Sequence, residues 1–119
     1  MSKAEFKRNR KRKFIGYKQE EKLMFKEELD KFPFIDRCRI LVKIKYMSLI
    51  SVIKQPTYKN FKTNPDFGRI RISEYRIFIH RIDNEQWLML HIFHKKSNKI
   101  LDSNLRTAVM RLSNYLSQN

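Results

Sequence analysis

Apolar residues recur along this chain with two different periods, and the change of period divides it. Between residues 34 and 53, Cys38, Val42, Tyr46, Leu49 and Ile53 form one stripe at helical spacing, while Ile40, Ile44 and Met47 form a second stripe on another side. A helix apolar on two sides is packed on two sides, between a neighbouring helix and a sheet, or presents one stripe to a partner. From residue 68 the period contracts to two. Segments 68–73, 75–82 and 86–94 are rich in Ile, Phe, Tyr and Trp and are separated by Ser73-Glu74 and Asp83-Asn84-Glu85, which predicts two consecutive hairpins in an antiparallel meander.

Flanking segments complete the pattern. Residues 11–18 read as a short first strand. QEEKLMFKEELDKF predicts a helix over about 19–31, with Leu23, Met24, Phe25 and Leu29 as its apolar contacts and Pro33 as its stop. Residues 54–67 carry Pro56, Pro65 and Asn-Pro-Asp turn chemistry and read as an irregular connection. A final helix is predicted over 102–117, opened by Asp102 or Ser103, with Leu105, Ala108, Val109, Leu112 and Leu116 on one face. The expected fold is α+β: a small antiparallel β-sheet with two N-terminal helices and a C-terminal helix, in one domain over 11–119, preceded by a flexible basic arm over 1–10.

Charge adds the strongest compositional fact. Among 119 residues, 27 Lys+Arg stand against 12 Asp+Glu, a net charge of +15, so the first partner to consider is a polyanion such as nucleic acid and the second an acidic protein. Only Gly16 and Gly68 are glycine, which excludes a Gly-rich phosphate loop. Cys38 is the sole cysteine, so neither an internal disulfide nor a Cys-based zinc site is expected, in keeping with a cytoplasmic setting. No apolar run approaches the ~18 residues of a membrane helix, and no membrane association is expected.

Period-two alternation sorts the charges by face. Tyr75, Ile77 and Ile79 share one side of their strand, and Arg76, Phe78 and His80 share the other; across the turn, Ile70 and Ile72 oppose Arg69, Arg71 and Ser73. The arginines of both strands therefore converge on one face. Such a face serves solubility alone in many antiparallel sheets, but guanidinium forks suit phosphate and an exposed Phe78 would suit stacking on an unpaired base. LHIFHKKSNK adds His91, His94, Lys95 and Lys96. A metal site is not expected, because His91 and His94 would turn to opposite faces of a strand. His94 beside two lysines is the preferred candidate for a neutral, proton-accepting imidazole, with His91 and His80 as alternatives.

The order of these pieces resembles the RelE/ParE toxin superfamily, most closely its HigB-like, phage-associated branch. The matching segments are DRCRIL at 36–41, IRISEYRIF at 70–78, LHIFHKKSNK at 90–99 and LRTAVMRL at 105–112. The resemblance covers about residues 11–116. It implies a toxin of a type II toxin-antitoxin system, held by a cognate antitoxin protein and acting without a cofactor. RelE-like and HigB-like members cleave mRNA on the ribosome; ParE-like members inhibit gyrase; a non-catalytic nucleic-acid-binding accessory protein is the remaining alternative. Arg76 matches the family's active-site arginine, Arg71 and Arg69 fall on the basic strand before it, and Lys95 and Lys96 match the basic pair after the last strand. Taken with the face reading above, the resemblance makes Arg76, Arg71, His94 and Lys96 the expected catalytic residues, and Arg69, Phe78, His80, His91 and Lys95 the expected RNA contacts. Asp102 stands near the position where some members carry a tyrosine, and Phe67 near a further basic position.

Overall fold

The computed structural model describes residues 11–95 and 102–118; the arm expected over 1–10 lies outside them. Lys13–Gly16 forms β1, Met24–Asp30 α1 and Phe34–Leu49 α2. Strands β2 (Tyr58–Phe61), β3 (Asn64–Ile72), β4 (Tyr75–Arg81) and β5 (Gln86–His94) follow, and Asp102–Ser117 forms α3. The five strands make one sheet in the order β1-β5-β4-β3-β2.

The sheet is mixed, which corrects the expectation of a wholly antiparallel one. Strands β2 to β5 are a meander, but β1 runs parallel to β5, with Phe14 beside Trp87 and Ile15 beside Leu88. Element bounds also differ. The first helix starts at Met24 rather than near residue 19, because Gln19 and Lys22 close a turn in which Glu20 takes a φ of 56°. The second ends at Leu49 rather than residue 53. Its final turn is capped by Arg12, which donates to the carbonyls of Met47, Ile50 (2.8 Å) and Ser51 (2.8 Å) while stacking 5.1 Å above Trp87. A cation at this end of a helix meets the negative pole of its dipole. The segment read as irregular, 54–67, contains β2 and the start of β3.

Both faces of the sheet are covered. On one, Ile70, Ile72, Tyr75, Ile77, Ile79, Trp87, Met89 and Ile92 meet Phe25 and Leu29 of α1 and Ile40 and Met47 of α2. On the other, Phe67, Phe78, Leu88, Leu90 and Phe93 meet Ala108 and Leu112 of α3. The predicted helical stripe of Ile40, Ile44 and Met47 is the packed one. Val42 and Tyr46 of the other stripe remain more than half exposed, and Cys38 is exposed beside them. Among the described residues no helix is long and apolar enough to cross a membrane.

Candidate nucleic-acid interface

The register of β3 on β4 brings the arginines together. Arg71 lies directly opposite Arg76, and Arg69 opposite Phe78, so all three guanidinium groups leave the face that α3 only partly covers. On β2, Lys59 lies directly opposite Arg69. Like charges facing each other across strands destabilise a sheet, and this face carries two such pairs. Among the described residues, none of Lys59, Lys62, Arg69, Arg71, Arg76 or Lys95 has a carboxylate at ion-pair distance.

Arg76 is the most constrained of these groups. It is buried, and its Nη1 donates to the carbonyls of Ser73 (2.8 Å) and Tyr75 (2.9 Å), which folds the side chain over the β3–β4 turn. Ser73 supplies its carbonyl from a left-handed conformation with φ 53°, one that costs a non-glycine residue about 1–2 kcal/mol. Below the turn, the Tyr75 hydroxyl donates to Asp36 Oδ2 at 2.6 Å and ties β4 to α2; burial and the Asp36 carboxylate push that phenol up to about 12. The Lys95 amide donates to the Glu74 carbonyl (2.7 Å), which sets Lys95 beside the same turn. Burial, then Arg71 and Arg69, lower the Arg76 pKa; desolvation, then Arg76, Arg69 and Arg71, lower that of Lys95. Four cations thus repel one another on this face, and guanidinium and ammonium groups gathered in this way suit a phosphate.

Several expected members of the site lie elsewhere. Phe78 is fully buried, so it has no surface to offer a base. It is the middle of a column of near-parallel rings running Phe61, Phe67, Phe78, Phe93, His91, with successive centroids 5.0, 5.8, 5.6 and 5.7 Å apart. His94 pairs in register with Tyr75 and so points to the opposite face from Arg76; its Nε2 is 3.0 Å from Glu74 Oε2 and its ring meets Tyr75 edge-on. His80 is on the arginine face but pairs with Phe67 and packs near Tyr115, four residues along β4 from Arg76 or roughly 13 Å at strand rise. Its imidazole pKa is lowered by burial, against an upward pull from Asp66. Lys96 lies outside the described residues. The structure therefore unites Arg76, Arg71, Arg69 and Lys95 and sets His94 and His80 apart from them, while His91 shares their face but is engaged by other partners.

His91 has a different occupation. β1 borders β5 only as far as Met89, leaving Leu90 and Ile92 with edge groups to satisfy. Glu28 of α1 accepts from the Ile92 amide (3.4 Å), from Arg111 Nη1 (3.0 Å) and from His91 Nδ1 (2.8 Å), while Arg111 also donates to the Leu90 carbonyl (2.8 Å). His91 Nε2 lies 2.6 Å from Asn104 Oδ1. The imidazole is thus held in a buried clasp between α1, β5 and α3. Burial pushes the Glu28 carboxyl up, but the hydrogen bonds and charges of His91 and Arg111 outweigh it and hold the group below the usual carboxylate range.

Sequence reading missed Lys59, Phe61 and Lys62, because it placed them in an irregular connection. The available signal was YKNF, aromatic at both ends, before a turn at Lys62-Thr63. The described residues hold no group of three or more His, Cys, Asp and Glu side chains arranged for a metal ion. Fold and site together define an α+β domain with a cationic sheet face. Comparison with known proteins returns no matching family model and no significantly similar curated sequence.

Proposed function

We propose that this protein is the toxin of a type II toxin-antitoxin system and cleaves mRNA on the ribosome. The observation that carries the reading is the convergence of Arg69, Arg71, Arg76 and Lys95, uncompensated by carboxylate, on one face. In the reaction, the ribose 2′-oxygen attacks the adjacent phosphorus and the bond from phosphorus to the 5′-oxygen breaks. The 2′-hydroxyl proton passes to water and the leaving oxygen takes a proton. Arg76, fixed by two turn carbonyls, and Arg71 hold the non-bridging oxygens, whose added charge in the phosphorane strengthens both contacts. Lys95, with its lowered pKa and its place beside Arg76, donates to the 5′-oxygen. His94, on the other face, has no part in this scheme. The products are a 5′-hydroxyl fragment and a 2′,3′-cyclic phosphate.

A protein partner is supported by α2. Phe34, Ile35, Leu41, Val42 and Tyr46 are each more than half exposed along it, interleaved with Arg37, Arg39 and Lys43. An acidic antitoxin with an apolar stripe complements that surface in both respects. The test of the reaction is incubation of the purified protein with ribosomes carrying a defined message. Cleavage that leaves 5′-hydroxyl and cyclic phosphate ends supports the reading. Messages left intact on the ribosome, with gyrase inhibited in a parallel supercoiling assay, would replace it with the ParE-like one.

A further inference from the structure

Next to the four cations, and sharing Arg69 with them, the β2–β3 hairpin contains a recess. It is a cavity of about 270 Å³ lined by Lys59, Asn60, Phe61, Lys62 and Arg69, just under the ~300–1,000 Å³ of small-molecule sites. Three features give it the chemistry of a nucleotide site. Lys59, Lys62 and Arg69 supply three cations without a carboxylate partner among the described residues. Phe61 stands at one end of the ring column and keeps part of its surface accessible, unlike Phe67 and Phe78 behind it. Asn60, exposed at the register shift between Asn60 and Phe61, brings an amide that can both donate to and accept from a base edge.

Placement links this recess to the arginines. Lys59 faces Arg69 on the same side of the sheet as Arg76, two strands away, or roughly 10 Å across the sheet at the usual strand spacing. One phosphate cannot reach both Lys59 and Arg76, but Arg69 stands on the strand between them, and neighbouring phosphates of one RNA strand can engage the two ends. We propose that the hairpin is a subsite for a nucleotide flanking the scissile phosphate of single-stranded RNA, its base against Phe61 and Asn60 and its phosphate on Lys59, Lys62 and Arg69. The subsite rests on the reading of the arginine face as an RNA-cleaving site. It assigns that face a direction, with the strand running across β4, β3 and β2, and gives the protein a means of sensing a base beside the cut. The like-charge pair of Lys59 and Arg69, unfavourable in the free protein, is relieved when the phosphate arrives.

The experiment uses fluorescence anisotropy with a labelled 2′-O-methyl oligoribonucleotide, whose blocked nucleophile prevents cleavage, over a series of salt concentrations. Lys59 and Lys62 are exposed, so a K59Q/K62Q double variant leaves the core alone. Its affinity is expected to fall about tenfold, and the slope of log affinity against log salt to flatten by up to about 0.7, the share of one single-strand phosphate contact. Phe61→Leu, which keeps the apolar packing and loses the stacking face, is expected to bind at least fivefold more weakly. Wild-type binding shared unchanged by both variants would overturn the subsite alone. A wild-type protein with no affinity for the oligonucleotide would overturn the arginine-face reading, and the subsite with it.

Discussion

Replacing Glu28 with alanine removes the carboxylate that ties α1 to β5 and α3. The Glu28 side chain is 19 % exposed and that of Arg111 7 %, so solvent does not replace the lost partner. Arg111 keeps its bond to the Leu90 carbonyl, but its charge is left without a counterion, and His91 Nδ1 and the Ile92 amide lose their acceptor. Breaking a buried pair from one side costs about 3–5 kcal/mol. With a urea dependence of about 1.5 kcal/mol per molar, the midpoint of unfolding should fall by roughly 2–3 M. The effect of pH has a defined sign. The Glu28 carboxyl is held below its unfolded value, so its contribution is complete above about pH 4.3 and is lost as pH falls through the lower folded value. The E28A variant should therefore lose less stability than wild type on acidification below that point. A loss under about 1 kcal/mol, or E28A and R111A effects that simply add in the double variant, would refute the clasp.

Other consequences follow from single residues. Arg12→Ala should lower stability by about 2–3 kcal/mol in thermal or urea unfolding, since it removes three charge-assisted bonds from the end of α2. Gly68→Ala places a methyl group 2.5 Å from the Tyr58 ring, which lies across Gly68 on the face away from the arginines; a cost of about 1–3 kcal/mol is expected, and Tyr58→Ala in the same chain should remove the clash. If Lys95 delivers the proton, cleavage should decline with rising pH through a value below that of an ordinary lysine, the direction in which its neighbours shift it. Lys95→Arg should abolish that decline in a pH-rate profile, leaving a slower, flatter dependence.

The alternation of isoleucine and arginine through residues 69–79 made the two faces of β3 and β4 legible, because side-chain direction in a strand is a local property. What neighbours do to a strand is not local. Phe78 lies on the arginine side as alternation requires, yet the ring column and α3 bury it, and no feature of RIFIH announces either cover. His94 is a matter of register. Trp87 and Met89 face the α1–α2 core, and strict alternation onward would have carried His94 to the arginine side. The extra residue between the partners of Phe78 and Ile79 puts both Leu90 and His91 on the arginine face and reverses everything after them. β2 escaped notice because four residues with two polar centres have little strand propensity of their own; Tyr58 over Gly68 and Phe61 on Phe67 hold it. The parallel pairing of β1 joins segments some seventy residues apart, which periodicity cannot reveal.

The central claim concerns Arg76, and mapping RNA 5′ ends in cells tests it most directly. Induction of the wild-type protein should produce cuts phased with codons in translated messages, bearing 5′-hydroxyl ends. Arg76→Ala should reduce them about 10²–10³-fold, with circular dichroism and unfolding showing that the domain still folds. Arg71 is exposed, so Arg71→Ala supplies the same test without disturbing the turn and should also cut poorly. Messages that stay intact under the wild-type protein, or folded Arg76 and Arg71 variants that cut as well as it does, would contradict the account.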